Sequence, residues 1–93
     1  MAEAWWNDTL IARSADIVTV EGNAYFPADA LVPGVLKDSA TTSVCSWKGT
    51  AHYYSLQANG AENRDAAWYY PDPKPAAAQI KGRVAFWKGV EVR

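Results

Sequence analysis

Thr50-Ala51-His52-Tyr53-Tyr54-Ser55-Leu56-Gln57, then Asn59-Gly60, then Asn63-Arg64-Asp65-Ala66-Ala67-Trp68-Tyr69-Tyr70 form the segment with the clearest structural pattern in the chain. Both runs are rich in aromatic side chains, which suit a pleated surface, and both have a period of two. Asn-Gly between them is the strongest short-range hairpin signal, because both turn positions take positive φ. The two runs are therefore expected to pair as antiparallel strands. On the first, Ala51, Tyr53 and Ser55 share one face and His52, Tyr54 and Leu56 the other. On the second, Ala66, Trp68 and Tyr70 share a face, opposite Ala67 and Tyr69. Large rings fall on both sides, so a face that is not core must leave rings for a pocket wall.

Working outward, Asn7-Asp8 reads as a tight turn between Trp5-Trp6 and Thr9–Ala12, and Ile17–Val20 reads as a β-branched strand closed by Gly22-Asn23. Ala24–Phe26 is a short strand ended by Pro27, which cannot donate to a ladder. Ala28–Leu31 is expected to form one helical turn, with an irregular stretch to Asp38. Thr42–Ser46 is expected to be extended, and Lys48-Gly49 to turn. Pro71, Pro73 and Pro75 stiffen a connector, and the segment near residues 75–81 is expected to form one short helix, with Pro at its start and Gly82 past its end. Arg83–Trp87 and Val90–Val92 are expected to close the chain as a hairpin around Lys88-Gly89. The implied fold is mainly β: a compact antiparallel two-sheet or partial-barrel arrangement, single-domain over residues 1–93.

Composition narrows the function. The 93 residues carry Lys+Arg 9 and Asp+Glu 10, a net charge of -1. That balance argues against nucleic acid as a partner, since phosphate binding needs a basic surface. No apolar run approaches the roughly 20 residues of a membrane helix, and the acidic N-terminal stretch Met1–Ala4 lacks the basic start of a signal peptide. A cytoplasmic location, with no membrane partner, is the expectation. The single Cys and single His cannot build a structural zinc site, and no Gly-rich phosphate cradle occurs, so no metal and no cofactor are expected.

The candidate chemistry centres on Cys45 and Lys48. A thiolate needs a nearby cation, and Lys48 stands three residues on, across an expected turn; His52 is the one imidazole available as a base. The alternative is that Cys45 is a small packed hydrophobe, the commonest fate of a free Cys. Tyr25, Trp47, Tyr53, Trp68 and Tyr70 are the candidate walls of a small-molecule pocket, with core packing as the alternative for each. Lys48, Arg64, Lys81 and Arg83 are candidates for an anionic ligand or for solvated surface charge. Trp5 and Trp6 put a ring on each side of one strand. One of them must face out or be covered, so a homodimer through these rings and strand edges is a further expectation.

Tyr25-Phe26-Pro27, the block Thr42–Ser55 read as T-x-x-C-x-W-K-G-x-A-x-Y-x-S, the run Ala66-Ala67-Trp68-x-Tyr70-x-x-Pro73, and Gly82 and Phe86 downstream together resemble a family of small, mostly bacterial single-domain proteins of unknown function, catalogued under a nucleotidyltransferase label. The resemblance spans about Trp6 to Val92. It carries over Tyr25, Pro27, Cys45, Lys48, Gly49, Tyr53, Trp68 and Tyr70; where the family often has Pro and then Phe or Tyr after the cysteine, this chain has Ser46 and Trp47. It implies a compact fold of two antiparallel sheets, similar to tent-shaped zinc-binding folds without their cysteines. The label implies nucleotidyl transfer, a chemistry that uses clustered carboxylates to hold metal ions against phosphates. Three functions follow: small-molecule binding in an aromatic pocket with a Cys45/Lys48 end, a homodimeric interaction module, and nucleotidyl transfer.

Overall fold

The computed structural model describes all residues from Met1 to Arg93. Nine strands run in chain order: β1 (Ala2–Trp6), β2 (Thr9–Ser14), β3 (Val18–Val20), β4 (Asn23–Tyr25), β5 (Leu36–Cys45), β6 (Gly49–Ala58), β7 (Ala61–Tyr69), β8 (Val84–Phe86) and β9 (Glu91–Val92). They form three open antiparallel sheets, ordered β2-β1-β9, β3-β4 and β5-β6-β7-β8. The two-sheet expectation is thus refined to three. The small sheet is joined to the largest by the paired backbone bonds of Phe26 and Val84, at 2.8 and 2.9 Å.

Turn chemistry explains the hairpins. Asn7-Asp8, Glu21-Gly22 and Asn59-Gly60 each supply two consecutive residues at positive φ, the geometry whose twist matches antiparallel strands. Glu21, at φ 54, holds a place that usually goes to Asn, Asp or Gly.

Four elements depart from the sequence expectations. The segment near 75–81 is a 3-10 helix, Pro75–Ile80, broken at Ala77, which has non-helical φ −118 and ψ 22. Six residues are too few to sustain a stable α-helix, and tertiary burial of Ala77 and Ile80 sets the path instead. The closing hairpin does not form. Lys88-Gly89 does turn, but β8 pairs with β7 and β9 pairs with β1, so the chain changes sheets there and covers an open edge of each. β5 starts at Leu36, not Thr42; its first half is polar and carries an irregularity between Asp38 and Thr42, which hides the period of two. A second irregularity lies between Tyr54 and Leu56, where Asp65 bulges at φ 55 and donates its N–H to Ser55 Oγ at 3.1 Å. The bulge turns Ala66 away from the side of Trp68 and Tyr70: Ala66 packs with Ala67 instead.

The four-stranded sheet is covered on both faces. One face carries Leu56, Ala67, Val84 and Phe86 against Ala4, Ile11 and Ala12 of the β1–β2 sheet. The other carries Ala51, Tyr70 and Ala85 against Tyr25, Ala77 and Ile80. Strand alternation sends Tyr25 to one cluster and Phe26 to the other. Trp6 packs against the first cluster and Trp5 lies beneath the Arg93 guanidinium, 5.0 Å from its ring centre, so the chain itself half-covers both rings. No helix is long and apolar enough to cross a membrane.

Candidate functional site

Lys48 is the anomaly from which the site is built. Ammonium groups are almost never buried unless paired, yet Lys48 is only 7% exposed. It sits at the β5–β6 turn, and its backbone is held from above: Lys74 N–H donates to the Lys48 carbonyl at 2.9 Å, and Lys74 Nζ donates to the Ser46 carbonyl at 2.6 Å. The proline connector therefore lies directly over the turn. Gly49, at φ 115, allows that approach; a Cβ there would stand 3.5 Å from the Asp72 carbonyl oxygen, in a backbone region that side chains rarely adopt.

The ammonium is paired with the Glu21 carboxylate, which reaches it from the tip of the β3–β4 hairpin. It also lies 5.5 Å from the Trp47 ring centre and 5.6 Å from that of Tyr70, within cation–π range. Burial works against the charge, but the hydrogen bond to Glu21 and the facing Tyr25, Tyr70 and Cys45 outweigh it and hold the Lys48 pKa above its ordinary value. Lys48 is thus a fixed cation, not a free amine. Glu21 is held below the usual carboxylate range, first by the hydrogen bond from Lys48. Burial pushes Tyr70 up, against the pull of Lys48, and keeps its phenol neutral.

Lys48, Tyr53, Trp68, Tyr70 and Trp87 line one cavity of about 190 Å³. Tyr53 shares a hydrogen bond of 2.9 Å with Ser43, Trp68 meets Trp87 edge to face at 6.2 Å, and the Trp87 indole N–H donates to the Asp65 carbonyl at 2.5 Å. Beneath them Tyr25 is fully buried; its hydroxyl accepts the Trp68 indole N–H at 3.1 Å. The rings are therefore fixed before any ligand arrives.

Four of the residues singled out from sequence (Lys48, Tyr53, Trp68 and Tyr70) meet in this cavity. Tyr25 lies below it as a support with no exposed surface, and Trp47 stands beside Lys48 outside the lining, 37% exposed. Cys45 ends β5 and packs, half-buried, on the same side of the sheet as Tyr53 and Trp68. Its thiol pKa is lowered, first by the backbone N–H groups of Trp47 and Lys48 aimed at the sulfur and only later by the Lys48 charge. His52 does not join it. Its ring lies tilted against Tyr69, 5.8 Å between ring centres, and Tyr69 packs against the opposite cluster, because adjacent strand residues point to opposite faces. The other cations are dispersed: Arg83 clamps the Asp16 carboxylate at 3.1 Å, and Lys81 and Arg64 lie in separate grooves.

Two members of the site escaped the sequence reading. Glu21 had a signal, a glutamate in a turn position that favours Asn or Gly. Trp87 had one too, as the residue that alternates to the face opposite Phe86. No group of three or more His, Cys, Asp or Glu side chains comes together at a spacing that suits a metal.

A family model described as a domain of unknown function (DUF427) matches residues 1–93, and the chain belongs to that family. A comparison with curated proteins found no match.

Proposed function

We propose that this DUF427 domain binds a small planar molecule against Tyr53, Trp68, Tyr70 and Trp87, with the polar end of the ligand at Lys48 and Cys45 flanking that end. The observation that carries the reading is a buried lysine among the aromatic residues that line one cavity. A lysine used only to neutralise Glu21 would be as useful on the surface, where it would escape most of the desolvation cost. At about 190 Å³ the cavity falls below the roughly 300–1,000 Å³ of drug-sized sites, which favours a ligand of one ring or a comparable fragment. Because its pKa is raised, Lys48 serves as a fixed positive charge; of the two polar candidates, Cys45 is the one suited to covalent chemistry.

Benzamide, a neutral one-ring probe, tests the reading. Titration followed by tryptophan emission is expected to saturate with a Kd on the order of 1 mM. Replacement of both Tyr53 and Trp87 by Ala is expected to abolish the saturable change. A wild-type response that stays linear in probe concentration, or one untouched by the double replacement, overturns the proposal.

Self-association is a second reading. It rests on β5, an open edge of the large sheet whose Val44 is 80% exposed, followed by the exposed Trp47 just past the strand end. Nucleotidyl transfer gains no comparable observation.

A further inference from the structure

The ion pair between cavity-lining Lys48 and Glu21 is built in an unusual way. Lys48 is buried, whereas the side chain of its partner Glu21 is 53% exposed, at the tip of a hairpin with only three residues in each strand. Glu21 also occupies positive φ, a strained conformation for a side chain without an Asn- or Gly-like preference. The β6–β7 turn has Asn-Gly at the same two positions, whereas Glu21 stands before Gly22 in the β3–β4 turn, as Lys88 does before Gly89. Here the strained position brings a carboxylate to Lys48, the one cationic residue that lines the cavity. A carboxylate that is exposed, strained and seated on a buried cation has the geometry of a displaceable cap.

We infer that Glu21 is a built-in surrogate for the ligand's own acidic group, and that the site takes a planar ring bearing a carboxylate, which displaces Glu21 from Lys48. This rests on the small-molecule reading above and adds the charge class and the gate. The aromatic walls accept the ring, and the Trp47 and Tyr70 faces hold the ammonium in place while its carboxylate partner is exchanged. Charge is conserved in the exchange: one carboxylate leaves Lys48 as another arrives, so no uncompensated ammonium is left buried. Because the intramolecular cap competes, its removal should strengthen binding of acids and leave neutral rings unaffected.

Benzoate and benzamide, which differ in charge at nearly constant shape, test the inference on the full chain with tryptophan emission as the readout. Glu21→Gln is expected to tighten benzoate roughly tenfold relative to wild type while the benzamide Kd changes by less than about twofold. Glu21→Gly keeps the turn conformation without a side-chain cap and is expected to show the same benzoate gain, which covers a fold defect specific to glutamine. In both variants Lys48→Met is expected to erase the benzoate gain. Equal benzoate affinity in wild type and both Glu21 variants, with benzamide still bound, overturns the surrogate role and leaves the binding reading intact. Failure of both probes to bind any of these proteins removes both.

Discussion

The two faces of the β5–β8 sheet use the same strands to opposite ends. On the face toward β1 and β2, ten buried residues are all apolar, from Ala4 and Ile11 to Leu56 and Phe86. On the other face the buried cluster includes two tyrosines, and at its margin lies a lysine almost without exposed surface. No buried side-chain polar atom is left without a partner, so this second face is not poorly made. Its polar groups are consistently satisfied, which is costly to arrange and adds little to stability over an apolar core. The first face therefore serves packing alone, whereas the second gives part of its packing to holding rings and charges at fixed positions.

The sharpest way to break this contrast is to damage the first face alone. Leu56 is fully buried within the apolar cluster. Leu56→Ala is expected to cost about 2–5 kcal/mol in chemical denaturation, a large part of the stability of a small domain. Below its unfolding transition the variant is expected to bind benzamide with wild-type affinity. A loss of binding in the folded variant would mean that the faces are coupled and the division is wrong.

A subtler probe acts on the second face. Tyr25→Phe removes the hydroxyl that accepts the Trp68 indole N–H and leaves that donor unpaired. The expected cost is about 1 kcal/mol, with a shift in tryptophan emission that Leu56→Ala does not produce. A neutral stability change with unchanged emission would show that water replaces the phenol, and that the ring of Trp68 is not held by it.

The same contrast governs how much the sequence discloses. Period-two alternation across Thr50–Gln57 and the Asn59-Gly60 turn were enough to place β6 against β7, because both signals are local. β5 was half-hidden, since Lys37, Asp38 and Ser39 give no apolar alternation and its irregularity shifts the phase. The exchange of sheets after Trp87 was not legible at all. A Lys88-Gly89 turn looks the same whether the strands flanking it pair with each other or with β7 and β1. Within the site, Cys45, Lys48, Tyr53, Trp68 and Tyr70 stood out by residue type and nearness along the chain. Glu21 lies 27 residues from Lys48, and only the fold brings the two together; its unusual turn position was the one local trace. His52 was a candidate base by residue type alone, and the strand alternation that already set it opposite Ala51 and Tyr53 keeps it off the side of Cys45.

The smallest expected effect separates the two sources of cationic character on the second face. The Cys45 thiol is depressed first by the Trp47 and Lys48 backbone N–H groups and only in lesser part by the Lys48 charge. Its alkylation rate by iodoacetamide should therefore rise with pH through a midpoint below the ordinary thiol value of about 8.5. The sign for stability is the same as for a depressed carboxylate. Because the folded thiol loses its proton more readily than the unfolded one, the contribution is fully present above the unfolded pKa and is lost as pH falls through the folded value. Lys48→Met removes the ammonium but keeps both N–H groups, so the midpoint should move up only slightly and remain below that of an unfolded control peptide spanning Ser43–Gly49. A midpoint that climbs all the way to the peptide value would make the ammonium the dominant influence. The turn backbone would then be a scaffold for Lys48 and no longer an anion site in its own right, and the polar character of the second face would reduce to one buried charge.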